Sequence, residues 1–307
     1  MSFSSSAAEE QAGDLVSPAW LAKRVGQVKV LDGTWFLKAV HGNRDGKSEF
    51  EQARVPTARF FDLDALSDNK TPLPHMLPDP LWFAERMEQD LGLSSDDEIV
   101  VYDALGQFSA PRCWWTLKVL GGKKVRLLNG GLPAWRQFGG RVESGPVSPV
   151  QPKPRGSWQV AYDARKVVGL PEMVAVVHSR SAPVVDARPA GRFKGVDAEP
   201  RPGLRKGKIP GSTNLPFKDL LNADGTFKSP AELEAAFRAA GVDPKDASKR
   251  VVVTCGSGTT AGVLAFALEN FFHTPTALYD GAFSEWAQAD HPERPVIDEA
   301  ASRTSKL

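Results

Sequence analysis

The chain has 307 residues, more than one ordinary core accommodates and about enough for two. With 41% apolar and 24% charged residues it has the make-up of a soluble globular protein, and no apolar stretch approaches a membrane span. A net charge of +1 gives no electrostatic reason to expect nucleic acid or an anionic membrane as a partner. Two cysteines, Cys113 and Cys255, exclude a disulfide framework and a cysteine-built zinc site, and point to a reducing compartment such as the cytoplasm. The five histidines (His41, His75, His178, His273 and His291) show no paired metal-ligand spacing, so no metal is expected.

Residues 1–14 lack both the apolar core of a secretion signal and the arginines of an organelle presequence, and read as a disordered tail. Residues 28–32 (Val-Lys-Val-Leu-Asp) predict a strand, followed by Phe50 and by Arg54-Val55-Pro56-Thr57-Ala58. Residues 98–103 predict a buried strand ending in Asp103, and the helix after it carries Cys113 beside Trp114 and Trp115. Nothing near Cys113 would hold it as a thiolate, so it reads as structural. Residues 125–131 predict a further strand and turn leading to Trp135, and the proline-rich stretch 143–160 a semi-rigid linker.

The pattern then repeats. Residues 183–186 answer to 28–32, Phe193 to Phe50, and Lys208-Ile209-Pro210-Gly211-Ser212 to residues 54–58. Residues 250–255 answer to 98–103, and 277–281, leading to Trp286, answer to 125–131. Short apolar strands alternating with helical stretches predict an α/β protein of two tandem domains, at 15–142 and 161–297, each a mostly parallel sheet flanked by helices. A tail is expected at 298–307. It ends in Ser305-Lys306-Leu307, the peroxisomal address, which bacteria also carry without meaning.

The second copy holds the chemistry. Its strand ends in Cys255 and turns through Gly256-Ser257-Gly258-Thr259-Thr260-Ala261 into an apolar helix. Glycines let successive backbone N–H groups face one atom, and the helix aims its positive end at the same point. Both effects favour a thiolate, and the loop has no Asp or Glu to oppose them. A buried structural cysteine is the plainer alternative. In the first copy Asp103 stands in place of Cys255, so that half is expected to be non-catalytic.

Together these residues resemble the two-domain sulfurtransferases of the rhodanese superfamily, so each half is expected to be a rhodanese-like domain. The Cys-Gly-Ser-Gly-Thr-Thr-Ala loop is similar to the Cys-Gly-Ser/Thr-Gly-Val-Thr-Ala of 3-mercaptopyruvate sulfurtransferases; thiosulfate-type rhodaneses generally show Arg-Lys after the cysteine. The stretch from Gly191-Arg192-Phe193 to Glu199-Pro200-Arg201 resembles the family segment whose arginines grip the substrate's carboxylate and keto oxygen, which implies that role for Arg192 and Arg201. From the residues alone, the same stretch also reads as a solvated basic loop paired with Asp197 and Glu199. Asp62-Leu63-Asp64 and Pro74-His75-Met76-Leu77-Pro78 resemble the segment that supplies a Ser-His-Asp array, here Ser257, His75 and Asp64; a purely structural clamp at His75 is the alternative. Thr259 departs from the usual valine, and Phe108 from a tyrosine that some relatives place near the substrate.

The resemblance implies two half-reactions. The Cys255 thiolate takes the sulfur of 3-mercaptopyruvate as a persulfide, cradled by the N–H groups of Gly256, Gly258, Thr259 and Thr260 and their neighbours, and pyruvate leaves. A thiol such as thioredoxin, or cyanide, then accepts the sulfur. No cofactor is implied. The alternatives are a thiosulfate:cyanide sulfurtransferase and a non-catalytic sulfur-carrier or docking module. A phosphatase would need an arginine closing the loop, where the chain has Ala261.

Overall fold

Short runs of β-branched and aliphatic residues become the strands of two sheets. The computed structural model describes residues 13–304. The first sheet comprises β1 (Leu15–Val16), β2 (Lys29–Asp32), β3 (Arg59–Phe60), β4 (Glu98–Tyr102) and β5 (Lys124–Leu128). The second comprises β6 (Val167–Val168), β7 (Val184–Asp186), β8 (Thr213–Asn214), β9 (Val251–Thr254) and β10 (Thr276–Tyr279). Every pairing is parallel, and the strand orders are β1-β5-β4-β2-β3 and β6-β10-β9-β7-β8, one pattern used twice. The expected α/β class with two parallel sheets is therefore borne out. All four residues of β9 are buried, because a parallel sheet covered on both faces has no wet side.

Matched residues occupy matched places in the two cores. Val30, Val55, Val100 and Trp135 pack together in the first; Val184, Ile209, Val252 and Trp286 do so in the second. Helices Ala110–Val119 and Ala261–Phe272 follow β4 and β9. Among the described residues, no helix is long and apolar enough to cross a membrane.

The chain divides into two compact units that do not follow chain order throughout. The first runs to Leu63 and adds Pro80–Tyr162 and Ala223–Phe227. The second takes Asp64–Asp79, Asp163–Asn222 and the chain from Lys228 onward. Asp64 and His75 thus belong with Cys255, although they precede it by almost two hundred residues.

Three expected segments differ from their sequence reading. Much of the linker is packed: Arg54 and Glu143 exchange backbone hydrogen bonds of 2.9 Å, and Trp158 is only 2% exposed. The Trp158 backbone N–H donates to the Glu88 carboxylate at 2.8 Å and its indole to the Leu120 carbonyl at 2.8 Å. The prolines give extended backbone, and this tryptophan supplies an apolar anchor that composition alone conceals. Asp14 is no tail residue: its carbonyl accepts from the Leu127 N–H at 2.8 Å and its carboxylate pairs with Lys118 at 3.1 Å. Near the other end, Asp298 accepts from the N–H groups of Ala300 and Ala301 at 2.9 and 3.0 Å, starting a helix over Glu299–Thr304. Residues 1–12 and Ser305-Lys306-Leu307 lie outside the described residues.

Candidate active site

In the second sheet β7 and β9 are neighbours, yet the chain visits β8, on the far side of β7, between them. This reversal opens a crevice beyond the carboxyl ends of the two strands, where open parallel sheets bind ligands. β7 delivers Asp186, Arg188 and the short helix Ala190–Phe193 to that end, and β9 delivers Cys255.

Cys255 is 2% exposed. The loop after it turns at Gly258, whose φ of +79° lies in the left-handed region that glycine adopts without steric cost. The loop carbonyls are tied down: Phe283 N–H donates to Cys255 at 2.9 Å, and Ser284 donates to Gly256 from its N–H at 2.9 Å and its Oγ at 2.5 Å. The N–H groups of Gly256 to Thr260 find no acceptor among the described residues. The helix Ala261–Phe272 begins directly behind them, and Thr260 at its cap makes no side-chain capping bond. Several such donors thus follow one cysteine directly at the start of a helix, a setting suited to stabilising an anion.

The first unit shows the same architecture already satisfied. The Asp103 carboxylate accepts from the N–H of Leu105 at 2.8 Å, of Phe108 and Ser109 at 2.9 Å each, and of Ala110 at 2.8 Å. Burial pushes its carboxyl above the usual range, against the pull of those amides. Cys113 is fully buried, and burial pushes its thiol well up, with the nearby Asp103 adding to the shift. Neither residue suits nucleophilic sulfur chemistry.

The arginines are held in different ways. A Cβ built on Gly256 would lie 2.8 Å from a guanidinium nitrogen of Arg192, so the absence of a side chain at Gly256 admits that fork against the loop. Arg192 is fastened by Glu199, through Nε at 3.1 Å and through Nη2. The Glu199 side chain is buried and also accepts from Arg188 Nη1 at 2.7 Å. Arg188, 1% exposed, grips Asp186 through Nε and Nη2 at 2.9 and 2.7 Å, donates to the Gly207 carbonyl at 2.9 Å, and covers the Phe283 ring at 3.6 Å. Arg188, Glu199 and Arg192 thus form a largely buried bridge, while Lys194 and residues 196–198 of the same stretch stay exposed. Arg201 differs: no acceptor for its guanidinium is found among the described residues. Burial pushes its pKa down; the Cys255 charge opposes this and Arg192 adds to it. Arg188 and the bridging role of Glu199 escaped the sequence reading. The signal available was an Asp-x-Arg step at the end of β7, with two acids, Asp197 and Glu199, lying between Arg192 and Arg201.

His75 comes to the same site. Its backbone φ is +61°, unusual for a residue with a side chain, and its segment is pinned by Asp68 N–H to Met76 O and Leu77 N–H to Asp280 Oδ2, both 2.9 Å. Its side chain is 1% exposed. Its Nε2 lies 3.0 Å from Asp64 Oδ1, while Nδ1 lies 3.1 Å from Ser257 Oγ and 2.9 Å from Thr259 Oγ1. Asp64 remains two-thirds exposed, at 67%. Phe108 belongs to the first unit, where it stacks on Trp35 at 6.2 Å and meets His41 edge-on at 5.0 Å.

Comparison with known proteins bears on this geometry. A Rhodanese-like domain matches residues 17–138 and again 171–289. The chain is 40% identical over 284 residues to the 3-mercaptopyruvate sulfurtransferase of Escherichia coli K12, covering 92% of this chain and 98% of that protein. It is 38% identical over 298 residues to the human 3-mercaptopyruvate sulfurtransferase, covering 94% and 97%. The crystal structure of SseA from Escherichia coli, a 3-mercaptopyruvate sulfotransferase by its description, superposes with a TM-score of 0.77 at 36% identity, over 88% of this chain and 98% of that one. With both halves matched and the similarity running through nearly the whole length, the chain belongs to the rhodanese-like family, as a two-domain member.

Proposed function

We propose that the protein is a sulfurtransferase that moves the sulfur of 3-mercaptopyruvate through a persulfide on Cys255 to a thiol or cyanide, releasing pyruvate. The observation that carries this reading is the pairing of Cys255 with two arginines, one fastened against the loop and one that, like the loop amides, has no bonded partner among the described residues. The Cys255 thiolate attacks the substrate sulfur; the S–C bond breaks and pyruvate departs as its enolate. The N–H groups of Gly256 to Thr260 spread the negative charge of the persulfide. Arg192 and Arg201 hold the carboxylate and keto oxygen, the charge-assisted forked contact to which a guanidinium is suited. Ser257, backed by His75 and Asp64, protonates the enolate. An acceptor thiolate, such as that of thioredoxin, then takes the outer sulfur by exchange chemistry that needs no metal or organic cofactor. Close similarity to 3-mercaptopyruvate sulfurtransferases supports the choice of donor.

Thiosulfate is the rival donor. Its charge sits beside the transferred sulfur and favours cations within the loop, directly after the cysteine, where this chain has Gly256 and Ser257. Steady-state rates with both donors decide the matter: a clear preference for mercaptopyruvate is expected, and a thiosulfate preference would overturn the reading. Mass spectrometry after exposure to mercaptopyruvate separates a catalyst from a docking module. One added sulfur atom at Cys255 is expected, and an unmodified Cys255 would defeat the enzyme reading.

A further inference from the structure

Thr259 carries a hydroxyl that no step above uses. We propose that it is a positioning residue that passes protons between Ser257 and His75, extending the array to Ser257–Thr259–His75–Asp64. The inference rests on the mercaptopyruvate reading and deepens it.

The argument is one of hydrogen-bond capacity. Facing the Asp64 carboxylate, Nε2 of His75 carries the proton, which leaves Nδ1 a single in-plane lone pair. Two hydroxyls compete for it, Thr259 Oγ1 at 2.9 Å and Ser257 Oγ at 3.1 Å, and they lie 3.2 Å from each other. One lone pair accepts one hydrogen well. The shorter contact assigns it to Thr259, and Ser257 then donates to Thr259 Oγ1. Each O–H has an acceptor in this order, and no donor is left over. Ser257 is 5% exposed and Thr259 and His75 3% each, so protons move along the chain rather than through bulk water.

The step balances. As the S–C bond breaks, the proton of the substrate thiol passes to Ser257 Oγ, the Ser257 proton to Thr259 Oγ1, and the Thr259 proton to His75 Nδ1. This makes an imidazolium paired with Asp64. The same path in reverse delivers one proton to the enolate carbon; the electron pair of the broken S–C bond leaves with that carbon, which is reduced as the two sulfurs are oxidised to the persulfide, so no outside oxidant is needed.

The full chain is compared as wild type, Thr259→Val, Thr259→Ala and Thr259→Ser, with mercaptopyruvate as donor. Both variants lacking the hydroxyl should lose about tenfold in kcat with KM within about twofold, and Thr259→Ser should recover wild-type kcat within about twofold. In mixtures of light and heavy water, the rate should depend on deuterium fraction along a curve for wild type and Thr259→Ser, and along a straighter line for the other two. An active wild type matched in kcat and in this isotope dependence by Thr259→Val or Thr259→Ala sinks the relay alone, as does Thr259→Ser as slow as Thr259→Val. A wild type inert towards mercaptopyruvate sinks the underlying reading and the relay with it.

Discussion

Arg192 and Arg201 are two copies of one side chain in opposite electrostatic situations. Arg192 is neutralised locally by Glu199, whereas Arg201 has no acid bonded to it among the described residues. Replacing Arg201 with alanine therefore orphans no partner: kcat/KM for mercaptopyruvate should fall by the equivalent of about 2–4 kcal/mol, with an unchanged melting temperature. Glu199→Ala should behave in the opposite sense. It leaves Arg188, 1% exposed, beside Arg192 with one acid fewer, and should cost about 3–5 kcal/mol in urea unfolding. A variant as stable as the wild type would show that Asp186 suffices for both cations. Cys255→Ser should end turnover with either donor, since no other described sulfur is suited to attack: Cys113 is buried with its thiol pushed well up.

At the scale of elements, one strand-turn-helix unit appears twice with opposite fates. After β4 the turn closes on the Asp103 carboxylate; after β9 the amides of the corresponding turn find no acceptor among the described residues. Both copies thus keep the fold, while the position after β9 holds Cys255 where the first copy holds Asp103. Asp103→Ala should cost about 3 kcal/mol or more in urea unfolding, through four amides left without their acceptor, and should leave sulfur loading of Cys255 intact. β2 supplies a pH signature. Burial pushes the Asp32 carboxyl up to about 6, against its bonds to Thr34 and Tyr102. A folded value above the unfolded one means that this group's contribution to stability is complete below about pH 3.8 and is lost as pH rises through about 6. Carbon NMR of Asp32 should give a midpoint near 6, and a midpoint below 5 would contradict the assignment.

For the whole molecule, the division of the chain into units is the decisive fact. Residues 64–79 leave the first half to join the second unit, and 223–227 make the reverse move. The proline-rich stretch ends on Trp158, which packs edge-on against Phe83 at 5.9 Å. Trp158→Ala should cost about 3–5 kcal/mol, a loss that calorimetry of the full chain would register; a loss below 1 kcal/mol would restore the view of this stretch as a linker.

Much of this was legible in the residues themselves. Alternation and apolar runs mark residues 28–32, 98–103 and 250–255 as strands because a sheet buries side chains with a short local period. The repeat follows from two such sets at a steady offset, and Cys255 from a glycine turn between strand and helix. The tertiary structure decided the rest. That Thr259 meets His75 across 184 residues, that Glu199 bridges two arginines, and that Asp103 fills its own turn are matters of where distant segments return. Local pattern records which side chains leave water. Which of them then meet depends on the path of the chain, and no short-range periodicity carries that information.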